Sequence, residues 1–185
     1  MKPGVFQPID LLIHIMKNYF YLLFIVLFLS ACQRSVQSTY YIVRHGEKAD
    51  DTADPVLSAA GQERAETLKK LLADRKISAV YATSYQRTSL TAKPLADAMQ
   101  LSIQKYDPRK QKPFIEDLKK IEGRNVLIVG HSNTVRHIAN GLFEQDTLKK
   151  DLEETDFDNL YVVKRQTAPR KKLSFTAKTY GKPTP

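Results

Sequence analysis

The chain has a single cysteine, Cys32, so no disulfide can form within it and its stability must come from a packed core. The apolar run near the N-terminus, Tyr19 to Leu29, is 11 residues long and falls short of the roughly 20 that a bilayer-spanning helix needs. No internal repeat or heptad pattern is present. No group of Cys, His and carboxylate residues has metal-ligand spacing, so the visible chemistry requires no metal and no cofactor. Acids are absent from the last 22 residues, where Lys164, Arg165, Arg170, Lys171, Lys172, Lys178 and Lys182 gather. That segment reads as a solvated basic end or as a face for an anionic partner. An acidic stretch from Asp146 to Asp158 precedes it and can compensate in space. The 185 residues, 42% hydrophobic with a formal net charge of +9, suffice for one domain with a sizeable core and do not describe a disordered chain.

Lys17 precedes the apolar run, no charge follows until Arg34, and the run ends in Leu29-Ser30-Ala31-Cys32. Eleven apolar residues suit the h-region of a secretory signal. The arrangement resembles a bacterial lipoprotein signal, in which small residues precede a cysteine that is lipidated and becomes the mature N-terminus. The resemblance implies a signal peptide over residues 16–31, with Met16 as the initiator and residues 1–15 dispensable. It also implies a lipidated Cys32 and a polar tether over residues 32–39. Gln33 is not the aspartate that tends to retain such proteins at the inner membrane, which points to outer-membrane anchorage facing the periplasm. A transmembrane anchor starting near Leu11 and ordinary secretory cleavage are the alternatives. An envelope location removes nucleic acid as a partner.

From Tyr40 the pattern is regular. Tyr40–Val43 reads as a buried strand and Asp50–Val56 as a loop. Ser58 reads as the N-cap of a helix that buries Ala65, Leu68 and Leu72. Gly61 in its first turn is tolerable if something packs closely there. Ile77–Ala82 is a second strand. A helix from about Tyr85 to Met99 follows, which Pro94 should kink or split. Leu101–Tyr106 is a third strand, Lys112–Ile121 a helix ended by Gly123, Asn125–Val129 a strongly apolar strand and Asn133–Leu142 a helix. Leu160–Val163 and Leu173–Thr176 are late strands. Alternating strands and helices predict an α/β three-layer sandwich. Its central sheet is mostly parallel with helices on both faces, and the late strands lie at an edge. The domain is expected over residues 40–178, with a flexible tail over 179–185.

In such sheets ligands gather beyond the carboxyl ends of the strands. Arg44-His45 follows the first strand, Thr83-Ser84-Tyr85-Gln86-Arg87-Thr88 the second, Asp107 the third, and Gly130-His131-Ser132 the strand after that. Singly, each has a structural reading. Together, two of the four histidines with two arginines beside them form a candidate anion site, because guanidinium forks match phosphate oxygens.

The stretches "VRHGE" at 43–47, "LSAAGQERA" at 57–65, "YATSYQRTSLTA" at 81–92 and "VLIVGHSNTV" at 126–135 together resemble the histidine phosphatase superfamily, also called phosphoglycerate mutase-like. The resemblance implies a phosphomonoester hydrolase with His45 as the nucleophile that forms a phosphohistidine. Arg44, Arg87 and His131 would bind the phosphoryl oxygens. The general acid/base would come from the third strand, at Asp107, with Glu47 as the second candidate. Ser132 stands where acid-phosphatase relatives carry an aspartate, and Lys48-Ala49-Asp50-Asp51 departs from the mutase pattern. Arg87 and His131 are 44 residues apart, an interval filled by the helix, strand and helix that the sheet needs. That leaves no room for a mutase insertion or a phytase-like cap and predicts an open site. The expected substrates are phosphorylated small molecules, sugars or proteins. The alternatives are a non-catalytic phosphate-binding module of the envelope and a phosphoglycerate mutase-like phosphotransferase.

Overall fold

The computed structural model describes residues 12–21 and 35–184. Most of the expected signal peptide, Cys32 and the first part of the tether lie outside the described residues. Residues 12–21 are helical (α1), in a unit separate from the one that begins at Val36. Among the described residues no helix is long and apolar enough to cross a membrane.

The second unit runs β1 (Val36–Arg44), α2 (Ala59–Leu72), a single 3-10 turn, β2 (Ile77–Ala82), α3 (Gln86–Ala98), β3 (Ile103–Lys105), α4 (Gln111–Lys119), β4 (Asn125–Gly130), α5 (Ser132–Phe143), β5 (Asn159–Ala168) and β6 (Lys172–Thr179). The strands form one sheet in the order β3-β2-β4-β1-β5-β6. β1 to β4 pair in parallel, whereas β5 runs antiparallel to both β1 and β6. The sheet is therefore mixed rather than mostly parallel. The late strands form a hairpin of eight and more residues per strand, longer than the short segments read from their apolar cores.

β1 starts four residues before the strand expected from Tyr40, so part of the polar tether is strand. Val36 to Thr39 pair with β5, and Ser38 donates to the Ile121 carbonyl at 2.8 Å. A long β5 offers backbone partners beyond the apolar stretch, and backbone pairing does not require apolar side chains. Pro94 does not split the helix, and α3 is continuous. Thr91 and Ala92 before the proline and Leu95 and Ala96 after it are all buried, so packing on both sides of the missing N–H holds the helix together. Tyr180, in the stretch read as a flexible tail, is buried. Thr184 Oγ1 accepts the backbone N–H of Phe157 at 3.2 Å.

Side chains alternate across the sheet as its two-residue period requires. Tyr40, Ile42, Val126 and Ile128 meet Ile115 and Leu118 of α4 and Ile138 and Leu142 of α5. Val43, Val80, Leu127 and Val129 meet Leu68 and Leu72 of α2 and Leu95 of α3. Burial on both faces is why β4 reads as an unbroken apolar run. β1 and β4 are adjacent parallel strands, yet the helix that follows one packs on the opposite face from the helix that follows the other. Their carboxyl ends thus open a crevice at the point where the chain changes sides.

Candidate active site

The register of β1 on β4 builds the centre. Arg44 pairs with Gly130, and the next residues, His45 and His131, leave the sheet side by side, with the His45 N–H bonded to the Gly130 carbonyl at 3.0 Å. Their ring centroids are 5.4 Å apart and the rings meet edge to face. Both are almost fully buried at the floor of a pocket of about 530 Å³, which Arg44 and Arg87 also line.

His45 Nδ1 donates to the Gly46 carbonyl at 2.8 Å, which fixes that proton and leaves the lone pair on Nε2. Burial, opposed by the Gly46 contact and reinforced by Arg44, His131 and Arg87, pushes its pKa down to about 3, so the ring is neutral at physiological pH. Gly46 is held in turn by its N–H on Thr91 Oγ1 at 2.8 Å. A Cβ on Gly46 would lie 2.8 Å from the Gly61 carbonyl oxygen, and one on Gly61 would lie 2.3 Å from the Glu47 carbonyl oxygen. The close packing that the sequence required around Gly61 is thus the loop carrying His45. Only glycine fits at both contacts.

His131 Nε2 lies 3.0 Å from Thr83 Oγ1, which is 2.8 Å from Thr88 Oγ1, and Thr88 donates to the Tyr85 carbonyl at 2.8 Å. Every proton in this chain has an acceptor when Nε2 carries the hydrogen and donates to Thr83. Nδ1 is then the unprotonated nitrogen, 3.5 Å from Arg87 Nη2. Burial first, then Arg87 and Arg44, lower the His131 pKa to about 4.

The two arginines are held differently. Arg44, 1% exposed, donates through Nη1 to the carbonyls of Glu153 at 2.6 Å and Asp156 at 3.1 Å. Through Nη2 it donates to the Glu154 carboxylate at 2.8 Å, and its guanidinium carbon stands 4.2 Å from the centre of the Phe157 ring. Desolvation lowers its pKa, with Glu154 opposing. Arg87 lies over Tyr85 at 4.4 Å and is 3.8 Å from Asp54. Asp54 accepts the Gln86 N–H at 2.8 Å, and so caps α3 from the 50–56 loop where Tyr85, the N-cap residue, makes no side-chain bond. The Nε–H groups of Arg44 and Arg87 are both buried without a hydrogen-bond partner. Two charged donors left over at one pocket are what an oxyanion would satisfy.

The carboxylates named from the sequence stand elsewhere. Asp107 is clasped by Arg109, with Nε at 3.1 Å and Nη2 at 3.2 Å, which holds it below the usual carboxylate range. It lines a neighbouring groove with Tyr85 and Lys105. Glu47 accepts Arg64 Nε and Nη2 at 3.0 and 2.6 Å. Arg64 also binds the carbonyls of Tyr180 and Lys182 at 2.8 and 2.9 Å. Burial raises the Glu47 pKa, but the Arg64 bonds outweigh it and the net shift is downward. The carboxylates that line the His45 pocket are Asp151 and Glu154, both from the segment between α5 and β5. Asp151 is bound by Arg136 Nε at 2.6 Å, whereas Glu154 bridges Arg44 and the Ser132 hydroxyl at 2.9 Å. Sequence reasoning read this segment only as compensating negative charge. Thr83 and Tyr85 lie in a stretch already singled out, but the hydrogen-bond chain to His131 needed three dimensions. Among the described residues no cluster of three or more His, Cys, Asp or Glu side chains could hold a metal ion. Between Arg87 and His131 lie only the rest of α3, β3, α4 and β4, so that interval holds no insertion to cover the pocket.

The sequence pattern of the histidine phosphatase superfamily (branch 1) matches residues 40–111. No curated protein sequence matches the chain. Solved structures share its fold at low identity. "Mycobacterial hydrolase 2" is 12% identical, with a TM-score of 0.63 over 81% of this chain and 94% of its own. The protein histidine phosphatase SixA complexed with tungstate is 17% identical, with a TM-score of 0.58 over 76% and 96%. The putative phosphohistidine phosphatase SixA from Agrobacterium tumefaciens is 21% identical, with a TM-score of 0.55 over 76% and 98%.

Proposed function

We propose that this chain, which carries the histidine phosphatase superfamily pattern over residues 40–111, is a phosphatase of that superfamily and hydrolyses phosphomonoesters through a phosphohistidine on His45. The observation that carries the reading is the neutral His45 ring, its Nε2 lone pair left available by the Gly46 contact, beside His131 in a pocket lined by two arginines with unspent donors. Phosphoryl transfer depends mainly on positioning and on stabilising charge over the equatorial oxygens. Nε2 attacks phosphorus in line. Arg44 and Arg87 donate to the phosphoryl oxygens, and His131 joins them once its Nδ1 takes up a proton, which a bound dianion favours. Water then hydrolyses the phosphohistidine. The open pocket admits that water and an exposed phosphate on a small molecule, a sugar or a protein.

A second reading, a phosphate-binding module without turnover, is favoured by one fact: Asp107 is paired with Arg109 and Glu47 with Arg64, and neither carboxylate lines the pocket. Incubation with a 32P-labelled phosphomonoester, quenched in alkali because the P–N bond is acid-labile, separates the two. Label on the wild type and none on His45→Asn supports hydrolysis. Bound phosphate without covalent label supports the module.

For the cellular setting we propose a lipid anchor on Cys32 that holds the domain at the outer membrane facing the periplasm. The sequence pattern before Cys32 supports it. Metabolic labelling with an alkyne fatty acid should mark the full chain and not Cys32→Ser. Label retained on the variant removes the anchor.

A further inference from the structure

With Asp107 and Glu47 turned elsewhere, the proposed reaction has no assigned group to protonate the leaving oxygen. The geometry points to Glu154 as that general acid, and as the base that activates water in the second half of the cycle. The inference rests on the hydrolytic reading above and adds the residue that reading lacks.

Three observations lead to it. In-line displacement places the leaving oxygen opposite His45 Nε2. His45 and Arg44 form the buried floor, so the leaving group points toward the rim. Of the two carboxylates on the wall, Asp151 is occupied by Arg136, and Glu154 is the one that touches a phosphoryl-binding residue, Arg44, at 2.8 Å. Finally, Glu154 is both held and free to work. Ser132 at the start of α5 binds Oε1, Arg44 binds Oε2, and the side chain is still 76% exposed, within reach of a substrate arriving from solvent.

The protons balance. The Ser132 hydroxyl bond, outweighing partial burial and aided by Arg44, holds the resting carboxyl below its usual range, so the free site carries a carboxylate. A phosphomonoester monoanion brings one proton. Once Arg44 turns to the phosphoryl oxygens and a dianionic group lies alongside, that proton moves to Glu154. As the N–P bond forms and the ester P–O bond breaks, Glu154 gives the proton to the departing oxygen and becomes a carboxylate. It then takes a proton from water as that oxygen attacks phosphorus and the P–N bond breaks, which restores neutral His45, and the proton leaves Glu154 for the departing phosphate or solvent, which restores the carboxylate.

The test compares wild type and Glu154→Gln on phosphomonoesters with good (p-nitrophenyl) and poor (alkyl) leaving groups, reading phosphoenzyme formation and turnover. An amide oxygen still accepts from Arg44 or Ser132, so the pocket keeps its shape. The expected result is a loss of about 10²- to 10⁴-fold on alkyl phosphates, the usual contribution of a positioned acid, and less than tenfold on p-nitrophenyl phosphate in the phosphoenzyme-forming step. Labelling from p-nitrophenyl phosphate also certifies that the variant is folded. An equal loss on both substrates reduces Glu154 to a support for Arg44 and overturns the assignment. So does a gain in activity or tighter binding of inorganic phosphate, which marks a carboxylate that competes with substrate. If the wild type itself forms no phosphoenzyme, the hydrolytic reading falls and this one falls with it. If the wild type labels and only the leaving-group dependence fails to change, this one falls alone.

Discussion

His131 Nε2 and the Thr83 hydroxyl, 3.0 Å apart, join two strands that are neighbours in the sheet, and the bond decides which imidazole nitrogen faces Arg87. Thr83→Val keeps the shape of the side chain and removes the acceptor, leaving a buried N–H unpaired. A loss of about 1–3 kcal/mol in stability, with a fall in kcat/KM of about ten- to hundredfold, is expected. Thr83→Ser should restore both. Urea titration and steady-state kinetics on the two variants read the outcome, and unchanged kinetics in the valine variant would remove Thr83 from the positioning of His131.

Acid should destabilise the fold in a defined window. The buried His45 and His131 have pKa values of about 3 and about 4, against 6.5 for an unperturbed histidine. Above pH 6.5 neither the folded nor the unfolded state takes up these protons and stability is flat on their account. As pH falls from 6.5 toward 4, the unfolded chain is protonated and the folded one is not, so stability falls. The cost is roughly 2 kcal/mol per histidine at pH 5. Urea midpoints at pH 7.5 and pH 5 measure it, and His45→Asn should lose about half of the difference.

Gly61→Ala places a methyl group 2.3 Å from the Glu47 carbonyl oxygen and 2.9 Å from its nitrogen. Backbone cannot move aside as a flexible side chain would. We expect a loss of about 1–3 kcal/mol by thermal unfolding. Labelling of His45 should drop as well, because the displaced segment is the one that carries it. A stable variant with full labelling would refute the claim that this contact positions the nucleophile.

The two carboxylates first suspected from the sequence should behave unlike catalytic groups, and unlike each other. Asp107→Asn removes an exposed contact to Arg109 and should leave both kcat/KM and the thermal midpoint unchanged. Glu47→Gln strips the buried Arg64 of its charge partner and should cost about 3 kcal/mol, the lower end for a broken buried pair because Glu47 keeps some solvent contact. The ratio of alkyl to aryl phosphate turnover should stay at the wild-type value in both.

What the sequence disclosed follows from how local each signal is. β4 and its neighbours were legible because burial on both faces leaves a run of Val, Leu and Ile, and Ser58 was legible because a capping hydroxyl lies three residues from the N–H it accepts, Gly61. The four cationic or imidazole side chains were legible because each lies at the carboxyl end of a strand or in the first turn of the helix that follows it. The acid was not. Asp107 occupies the expected place in the chain order, but Arg109, two residues on, folds back and claims it. Glu154 reaches the pocket through a segment with no periodicity, and only its bonds to Arg44 and Ser132, 110 and 22 residues away, give it meaning. The strand content of Val36–Thr39 was hidden for the same reason, since its partner lies more than 120 residues downstream.

Arg44 closes its hydrogen bonds on carbonyls of residues 153 and 156, and Arg64 closes its own on those of 180 and 182. The parallel half of the sheet, with both imidazoles and both pocket-lining guanidiniums, is synthesised well before either set of acceptors exists. A nascent or truncated chain ending at Phe143 would therefore hold every residue of the cationic cluster and still leave a buried guanidinium without its acceptors. The final quarter of the polypeptide thus supplies the backbone acceptors that close the centre laid out by the first three quarters.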